Sequence, residues 1–325
     1  MKRRGKLMLV IAAAAAAAVA LAGCTPVQKP ADSSTNKTHG FTYGISLYAS
    51  GNTFAAAMNN AATAEAKKLG DSVIIVTDGQ FDPEKQGKDV QDIVARKPDA
   101  MLLAAGDTAQ GKAWVDQSAE AGVPVFGLFN AIDHFGKPLY AGVTAAAQID
   151  EIASGYAAGK IALGVLKPGD AAGVILGQAG YAEVQDRLDG FTKALKSGDF
   201  KVYSTPNGDW TTLHGQQGCQ DLIAAHPDIK VIYSESDGMS VGCIQASNIG
   251  NIKVVGNGGS TDGLKLVASG GMLGTTCYGP GSLAAQVVQM AHAYLAGDKA
   301  VRGKLDLIAP TSITSMNATS CVQEW

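Results

Sequence analysis

The stretch TYGISLYASGNTFAAAMNNAATAEAKKLGDSVIIVTD, residues 42–78, moves from a strand-like run through a long amphipathic segment and back to a strand. TYGISLY (42–48) and SVIIVTD (72–78) are short aliphatic and β-branched runs, the pattern of strands buried in a sheet. Between them, Phe54 to Leu69 sets Met58 and a series of alanines on one helical face against Glu65, Lys67 and Lys68 on the other, and Gly70 stands where a helix C-cap is expected. The same alternation runs outward. AMLLAA (100–105), PVFGLF (124–129), AGVILG (172–177), KVYST (201–205), VIYSES (231–236) and IKVVGN (252–257) read as strands, with helical patterns such as Pro83–Arg96 and Ala109–Ala121 between strands, and Gly122 and Gly198 at further helix ends. No Asn-Gly turn joins two strands at a two-residue spacing, so the strands connect by helical crossovers and the fold class is α/β with parallel sheets. Strands one to four and five to eight make two comparable halves, which predicts two doubly wound lobes. A closed (β/α) barrel is the other architecture that this alternation allows.

A length of 325 residues fits two lobes better than one core. With 46% apolar and 17% charged residues the chain has ample material for buried sheets and is not a solvated disordered polymer. The formal charge is −3, and four cations (Lys2, Arg3, Arg4, Lys6) lie at the start of the chain, so the remainder is more acidic still. An acidic body lacks the clustered Lys and Arg that neutralise phosphates, so no nucleic-acid partner is expected.

Those four cations precede an uncharged, alanine-rich stretch, Leu7 to Gly23, which ends in small residues and a cysteine. That is the pattern of an export signal, and the stretch is short and weakly hydrophobic for a membrane span. Leu21-Ala22-Gly23-Cys24 resembles the bacterial lipobox. The resemblance implies cleavage of residues 1–23 and lipidation of Cys24, which would hold the body at a membrane surface outside the cytoplasm. Residues 24–40, rich in Pro, Ser, Thr and Asn, read as a flexible tether.

Four further cysteines, Cys219, Cys243, Cys277 and Cys321, allow three disulfide pairings. Cys219 and Cys243 fall on successive helices flanking one strand, which favours Cys219–Cys243 with Cys277–Cys321; isolated buried thiols are the alternative. No pair has CxxC spacing, and no metal site is expected. The five histidines, at 39, 134, 214, 226 and 292, are not in ligand spacing, and no GxSxG, HExxH or P-loop motif occurs. The chain is therefore read as a non-enzyme without a cofactor.

Six strings carry a more specific signal: GNTFAAAMNNAATAEAKKLG (51–70), FDPEKQGKDVQDIVARKPDAMLLAAGDT (81–108), AEAGVPVFGL (119–128), DRLDGFTKAL (186–195), AHPDIKVIYSESDGMSVGCIQA (225–246) and VVGNGGSTDGLKLVASGGMLGTT (254–276). In this order they resemble the type I periplasmic binding proteins, and among them the ribose-binding branch. The resemblance implies two Rossmann-like lobes joined by three crossover segments, with ligand held in the cleft as a hinge closes. Carried onto this chain, the N-terminal lobe comprises 41–144 plus 279–300 and the C-terminal lobe 145–278 plus 301–325. It also implies capture of a small-molecule ligand by a monomer for an ABC permease, or, alternatively, a receptor subunit feeding a membrane kinase or chemoreceptor.

The family's contact positions fall on Asn52 and Phe54 after the first strand, Phe129 and Asn130 after the fourth, Gln185 before DRLDGF, Trp210, Ser236, Asn257 and Tyr278. Asp107 and Asp237 are further acceptors. Several have structural alternatives: Asn52 as a helix cap, Phe54 as core, Trp210 as loop packing, Asp107 and Asp237 as caps. Arg187, beside Gln185, can pair with Asp186 or Asp189 on a helix surface. Where the ribose-type pattern places an Asp-Arg pair, this chain has Phe129-Asn130, and Ser236 stands in place of a frequent asparagine. A cleft with fewer charges and more aromatic wall points away from ribose, towards a neutral sugar derivative, a polyol or a related ring.

Overall fold

The computed structural model describes residues 40–130 and 132–325. The export leader, the lipobox cysteine Cys24 and all but the last residue of the tether lie outside the described residues. In chain order the elements are β1 (Thr42–Leu47), α1 (Thr53–Lys68), β2 (Ser72–Asp78), α2 (Pro83–Ala95), β3 (Ala100–Ala104), α3 (Thr108–Glu120), β4 (Val125–Phe129), β5 (Val143–Ile149) and α4 (Glu151–Ala162). The second half continues with β6 (Ala171–Ile175), α5 (Ala182–Leu195), β7 (Lys201–Ser204), α6 (Thr212–Ala225), β8 (Ile229–Ser234), α7 (Asp237–Ile244), β9 (Lys253–Val255), α8 (Thr261–Ser269) and β10 (Gly274–Cys277). After α9 (Pro280–Leu295) come β11 (Leu305–Ile308) and β12 (Thr311–Thr314).

Two six-stranded sheets result, ordered β2-β1-β3-β4-β5-β11 and β7-β6-β8-β9-β10-β12. Every strand pair is parallel except β10 with β12. Parallel sheets bury both faces under helices, and the central strands β3, β4, β5 and β6 are buried along their whole length while the edge strands β2 and β7 are not. Each lobe has the same doubly wound order, with the chain reversing direction across the sheet between β1 and β3 and between β6 and β8. The barrel alternative is excluded, because the strands form two open sheets.

All eight strands read from sequence are present. The lobe boundaries differ from those expected. β5 belongs to the first sheet although residues from 145 onwards were assigned to the second lobe, and β11 pairs with β5 although residues after 300 were assigned to the second lobe. The physical reason is register: Leu305–Ile308 lies alongside Ala146–Ile149 and completes the edge of the first sheet before Thr311–Thr314 crosses to β10. The chain therefore passes between sheets after β5, between β10 and α9, and between β11 and β12. Gly70 and Gly122 end their helices in the left-handed region, with φ of 80° and 76°; Gly198 does not adopt that conformation.

The second lobe is fastened by Cys219–Cys243, linking α6 to α7, and by Cys277–Cys321, linking the end of β10 to the segment after β12. Helices α4 and α5 approach each other closely in this lobe. A Cβ at Gly155 would sit 1.9 Å from the carbonyl oxygen of Arg187, and one at Gly190 2.1 Å from that of Ile152. Backbone meets backbone here, and no side chain can move aside. Gly155→Ala should therefore lower stability by about 2 kcal/mol or more even though alanine favours a helix over glycine by ~1 kcal/mol. Thermal and urea denaturation check this, and a midpoint at or above that of the parent protein would refute the close approach.

Candidate functional site

A cavity of about 170 Å³ lies between the two sheets, well above the ~10–15 Å³ needed for one water. Its wall comes from segments that follow β1, β2, β4, β6, β7, β8, β9 and β10, as expected for ligand sites at the carboxyl ends of parallel strands. From the first lobe come Tyr48, Asn52, Thr53, Phe54, Phe81 and Phe129. The second lobe and the crossing segments supply Tyr181, Glu183, Arg187, Trp210, Glu235, Ser236, Gly238, Asn257, Tyr278 and Trp325.

Half of this wall is aromatic. Phe54 meets Phe129, Tyr278 and Trp325 edge-on, at centroid distances of 5.1, 6.1 and 5.1 Å, and Tyr181 meets Tyr48 and Trp210 likewise at 5.6 and 5.9 Å. Three rings reach the cavity from strained backbone: Phe81, Phe129 and Trp210 have φ of 58°, 78° and 64°. Such a residue costs ~1–3 kcal/mol, and it persists only where the surroundings fix it. Gly177 is one of those surroundings, since a Cβ there would lie 2.0 Å from the Trp210 ring.

The polar part of the wall is organised by Arg187. Its guanidinium donates to both oxygens of Glu151, Nε to Oε2 and Nη2 to Oε1 at 2.7 Å each, with both side chains buried. Nη1 donates to the Glu235 carbonyl at 3.0 Å and Nη2 to the Tyr278 hydroxyl at 3.2 Å, while the guanidinium carbon lies 5.7 Å from the Trp210 ring centre. Tyr278 also accepts from Asn257 Nδ2 at 3.0 Å, and Asn257 Oδ1 accepts from Ser154 at 2.6 Å. Glu235 is fully buried; its Oε2 accepts the Gly177 N–H at 2.9 Å and its Oε1 has no partner among the described residues. Burial pushes the Glu235 carboxyl well above the usual carboxylate range, with Arg187 opposing, and pushes that of Glu183 up to about 7. The Trp325 indole N–H is likewise buried and unpartnered.

The two lobes touch across the mouth of the cavity. Thr108 N–H donates to the Gly180 carbonyl (3.2 Å), Gln178 Nε2 to the Phe81 carbonyl (2.9 Å) and Phe135 N–H to Asp186 Oδ2 (2.9 Å), with His134 Nδ1 3.3 Å from the other Asp186 oxygen. This is a closed arrangement.

Of the residues expected at the site, Asn52, Phe54, Phe129, Trp210, Ser236, Asn257 and Tyr278 reach the cavity. Asn52 and Ser236 do so while capping α1 and α7, accepting from Ala55 N–H at 2.7 Å and Met239 N–H at 3.2 Å. Four expected residues do not. Asp107 caps α3 through Gln110 N–H (2.7 Å). Asn130 donates to the Ala105 carbonyl (3.0 Å), its Oδ1 has no partner among the described residues, and it borders a separate, much smaller void. Gln185 is exposed and donates to Asp189 (2.6 Å), because the turn of α5 puts residues 183 and 187 on the cavity side and 185 opposite. Asp237 is fully buried below the wall, accepting from Thr275 Oγ1 and Ser260 N–H at 2.7 Å each.

The helix-surface pairing considered for Arg187 is also corrected. Arg187 sits inside rather than on the helix surface, with Glu183 and Glu235 beside it. The i, i+4 spacing of Glu183 and Arg187 was the signal available for this pair. Nothing local signals Tyr48, Phe81, Tyr181 or Trp325, whose places depend on how distant segments meet.

Residues 43–299 match the family described as periplasmic binding protein domain. The ribose import binding protein of Escherichia coli (strain K12) is 30% identical over 257 residues, covering 76% of this chain and 82% of that protein. The galactofuranose-binding protein of the same strain is 30% identical over 218 residues, covering 65% and 67%. Among solved structures, an ABC transporter solute binding protein from Mycobacterium smegmatis with bound glycerol superposes with a TM-score of 0.77 at 27% identity, covering 86% of this chain and 96% of that one. A galactofuranose binding protein does so with the same score and coverage at 26% identity. With two parallel α/β lobes closed on a cavity and a family match running through both, the chain belongs to the periplasmic binding proteins, as a ribose-binding-like member of type I.

Proposed function

We propose that this protein captures a small sugar or sugar-like molecule, such as a furanose, pyranose or polyol, outside the cytoplasm and delivers it to an ABC permease. The observation that carries the reading is the cavity itself, walled from both lobes by aromatic rings with polar groups between them. A sugar needs that combination: ring faces for its C–H surface, and donors and acceptors for each hydroxyl, since a buried hydroxyl left unpaired costs ~1–3 kcal/mol. The similarity to ribose and galactofuranose binders supports the same class. Phe54 and Phe129 from one lobe and Trp210 and Tyr278 from the other supply the apolar contacts, with Asn52, Ser236 and Asn257 supplying polar ones.

The mechanism is a hinge. A ligand that touches both lobes stabilises the closed arrangement by its extra contacts there, and only by those. The bonds from Thr108, Gln178 and Phe135 across the mouth then form, and the closed pair of lobes is the surface that a permease recognises. Lipidation at Cys24 keeps this monomeric carrier near the membrane, with the tether as its leash. No bond of the ligand is broken.

The reading is tested by thermal-shift and calorimetric titration of a panel of aldoses, furanoses and alditols, together with solution scattering. A ligand at a hundred times its Kd should add about 2.7 kcal/mol of stability, and saturation should shrink the radius of gyration. No shift with any member and unchanged dimensions would sink it. For a ligand found this way, Trp210→Ala should weaken binding more than tenfold, corresponding to ~1.4 kcal/mol, and an unchanged affinity would make the ring merely structural. Asp186→Ala touches no ligand but removes bonds that exist only across the closed mouth. It should weaken binding by roughly threefold to tenfold, from the ~0.5–1.5 kcal/mol of a net hydrogen bond, and an affinity equal to the parent's would remove Asp186 from the closing contacts.

A further inference from the structure

The charges facing the cavity do not balance. Arg187 is the one Lys, Arg or His among the described lining residues, and its charge is met in bidentate fashion by Glu151 directly behind the wall. Glu183 and Glu235 are left without a cation. Glu235 is fully buried, lines the cavity and has an unpartnered Oε1. Glu183, also buried, accepts no hydrogen bond from another residue's side chain among the described residues. Around them stand eight aromatic rings, whose faces attract cations when water is excluded.

Resting on the sugar-capture reading above, we infer that the captured molecule carries a positively charged amine on a sugar- or polyol-sized frame, with Glu235 and Glu183 as its acceptors inside the aromatic wall. Hydroxyls also donate to carboxylates, but they bring no charge. With a neutral ligand, two buried carboxylates keep their cost or take up protons from water. An ammonium group supplies both the donors and the countercharge, in bonds roughly twice as strong as neutral ones. A phosphorylated or carboxylated ligand is disfavoured, because its negative charge would meet two acidic side chains and a guanidinium already paired with Glu151.

The experiment is isothermal titration of the full chain at pH 7 with matched sets: an aldose or alditol of four to six carbons, its amino-deoxy derivative, and the N-acetylated form of that derivative, which keeps the nitrogen and loses the charge. In at least one set the amine should bind at least tenfold tighter than both neutral members. Glu235→Gln should cut that ratio below threefold, and where that variant fails to fold, Glu183→Gln serves in its place. Neutral members that bind as tightly as the amine overturn the inference and leave the sugar reading standing. A ratio unchanged in a folded variant overturns the assignment of the two carboxylates. Binding by no member of any set overturns the sugar reading itself, and the inference with it.

Discussion

A guanidinium cannot be buried alone, and the floor of the cavity is arranged around that constraint. Arg187, carried by α5, meets a carboxylate on α4, a backbone carbonyl after β8, a phenol after β10 and an indole before α6. A buried ion pair of this kind adds little net stability relative to an apolar substitute, yet breaking it by removing one partner costs ~3–5 kcal/mol. Its effect is positional. Four separate segments of the second lobe are pinned to one planar group carried by a fifth, and Tyr278 passes the constraint on to Asn257 and Ser154. The close approach of α4 to α5 at Gly155 is what brings Glu151 within reach of Arg187. Bidentate geometry thus depends on two helix backbones touching, and the shape of the polar wall depends on the bidentate geometry.

The aromatic wall rests on backbone conformation instead. Phe81, Phe129 and Trp210 occupy the left-handed region, which side-chain-bearing residues avoid, and each does so where its ring lines the cavity. At ~1–3 kcal/mol apiece this is a sizeable cost against a typical total stability of ~5–15 kcal/mol. Packing offsets it: Phe129 meets Phe54 edge-on, Phe81 meets Tyr48, and Trp210 fills the space that Gly177 leaves open. Strain gathered on three residues that face one cavity is better explained by function than by folding, since none of these turns requires an aromatic residue to form.

How much of this was legible in the sequence follows the range of the interactions. Strands with β-branched runs announce themselves locally, so eight were read directly. VTAAAQI, which became β5, holds three alanines and a glutamine between its β-branched ends, so its local signal is interrupted; burial between β4 and β11 completes the strand. LDLI of β11 is too short to be read, and its lobe depends on a pairing with residues about 160 positions earlier. At the site, Phe54, Phe129, Trp210 and Tyr278 were legible because they fall at or near strand ends in strings that resemble the family's. The acidic residues there were not, because Asp107 and Asp237 serve equally well as caps or buried acceptors, and only the local turn decides. Gln185 and Arg187 differ by two positions, which on a helix is about half a turn, so the resemblance pointed to an exposed residue while the one two positions on lines the cavity. Trp325 gave no signal at all; its carbonyl is fixed by Thr261 and its ring by Phe54.

The same unpaired groups that indicate a ligand also bear on when the hinge closes. In the mechanism proposed here, an empty closed state keeps Glu235 Oε1 and the Trp325 indole N–H away from water with nothing in their place. Each such group costs ~1–3 kcal/mol relative to hydration. Opening restores water to both and gives up a few bonds across the mouth, each worth only ~0.5–1.5 kcal/mol net. The two sums are of similar size and opposite sign, which leaves the empty protein poised between arrangements. A ligand that satisfies both orphaned groups removes the penalty from the closed side alone. The shift it produces is then a few kcal/mol, or one to three powers of ten in population. A ligand's contacts with both lobes favour closure in any such cavity; these groups add a penalty that the empty protein alone bears, and so sharpen the difference between closing empty and closing on cargo.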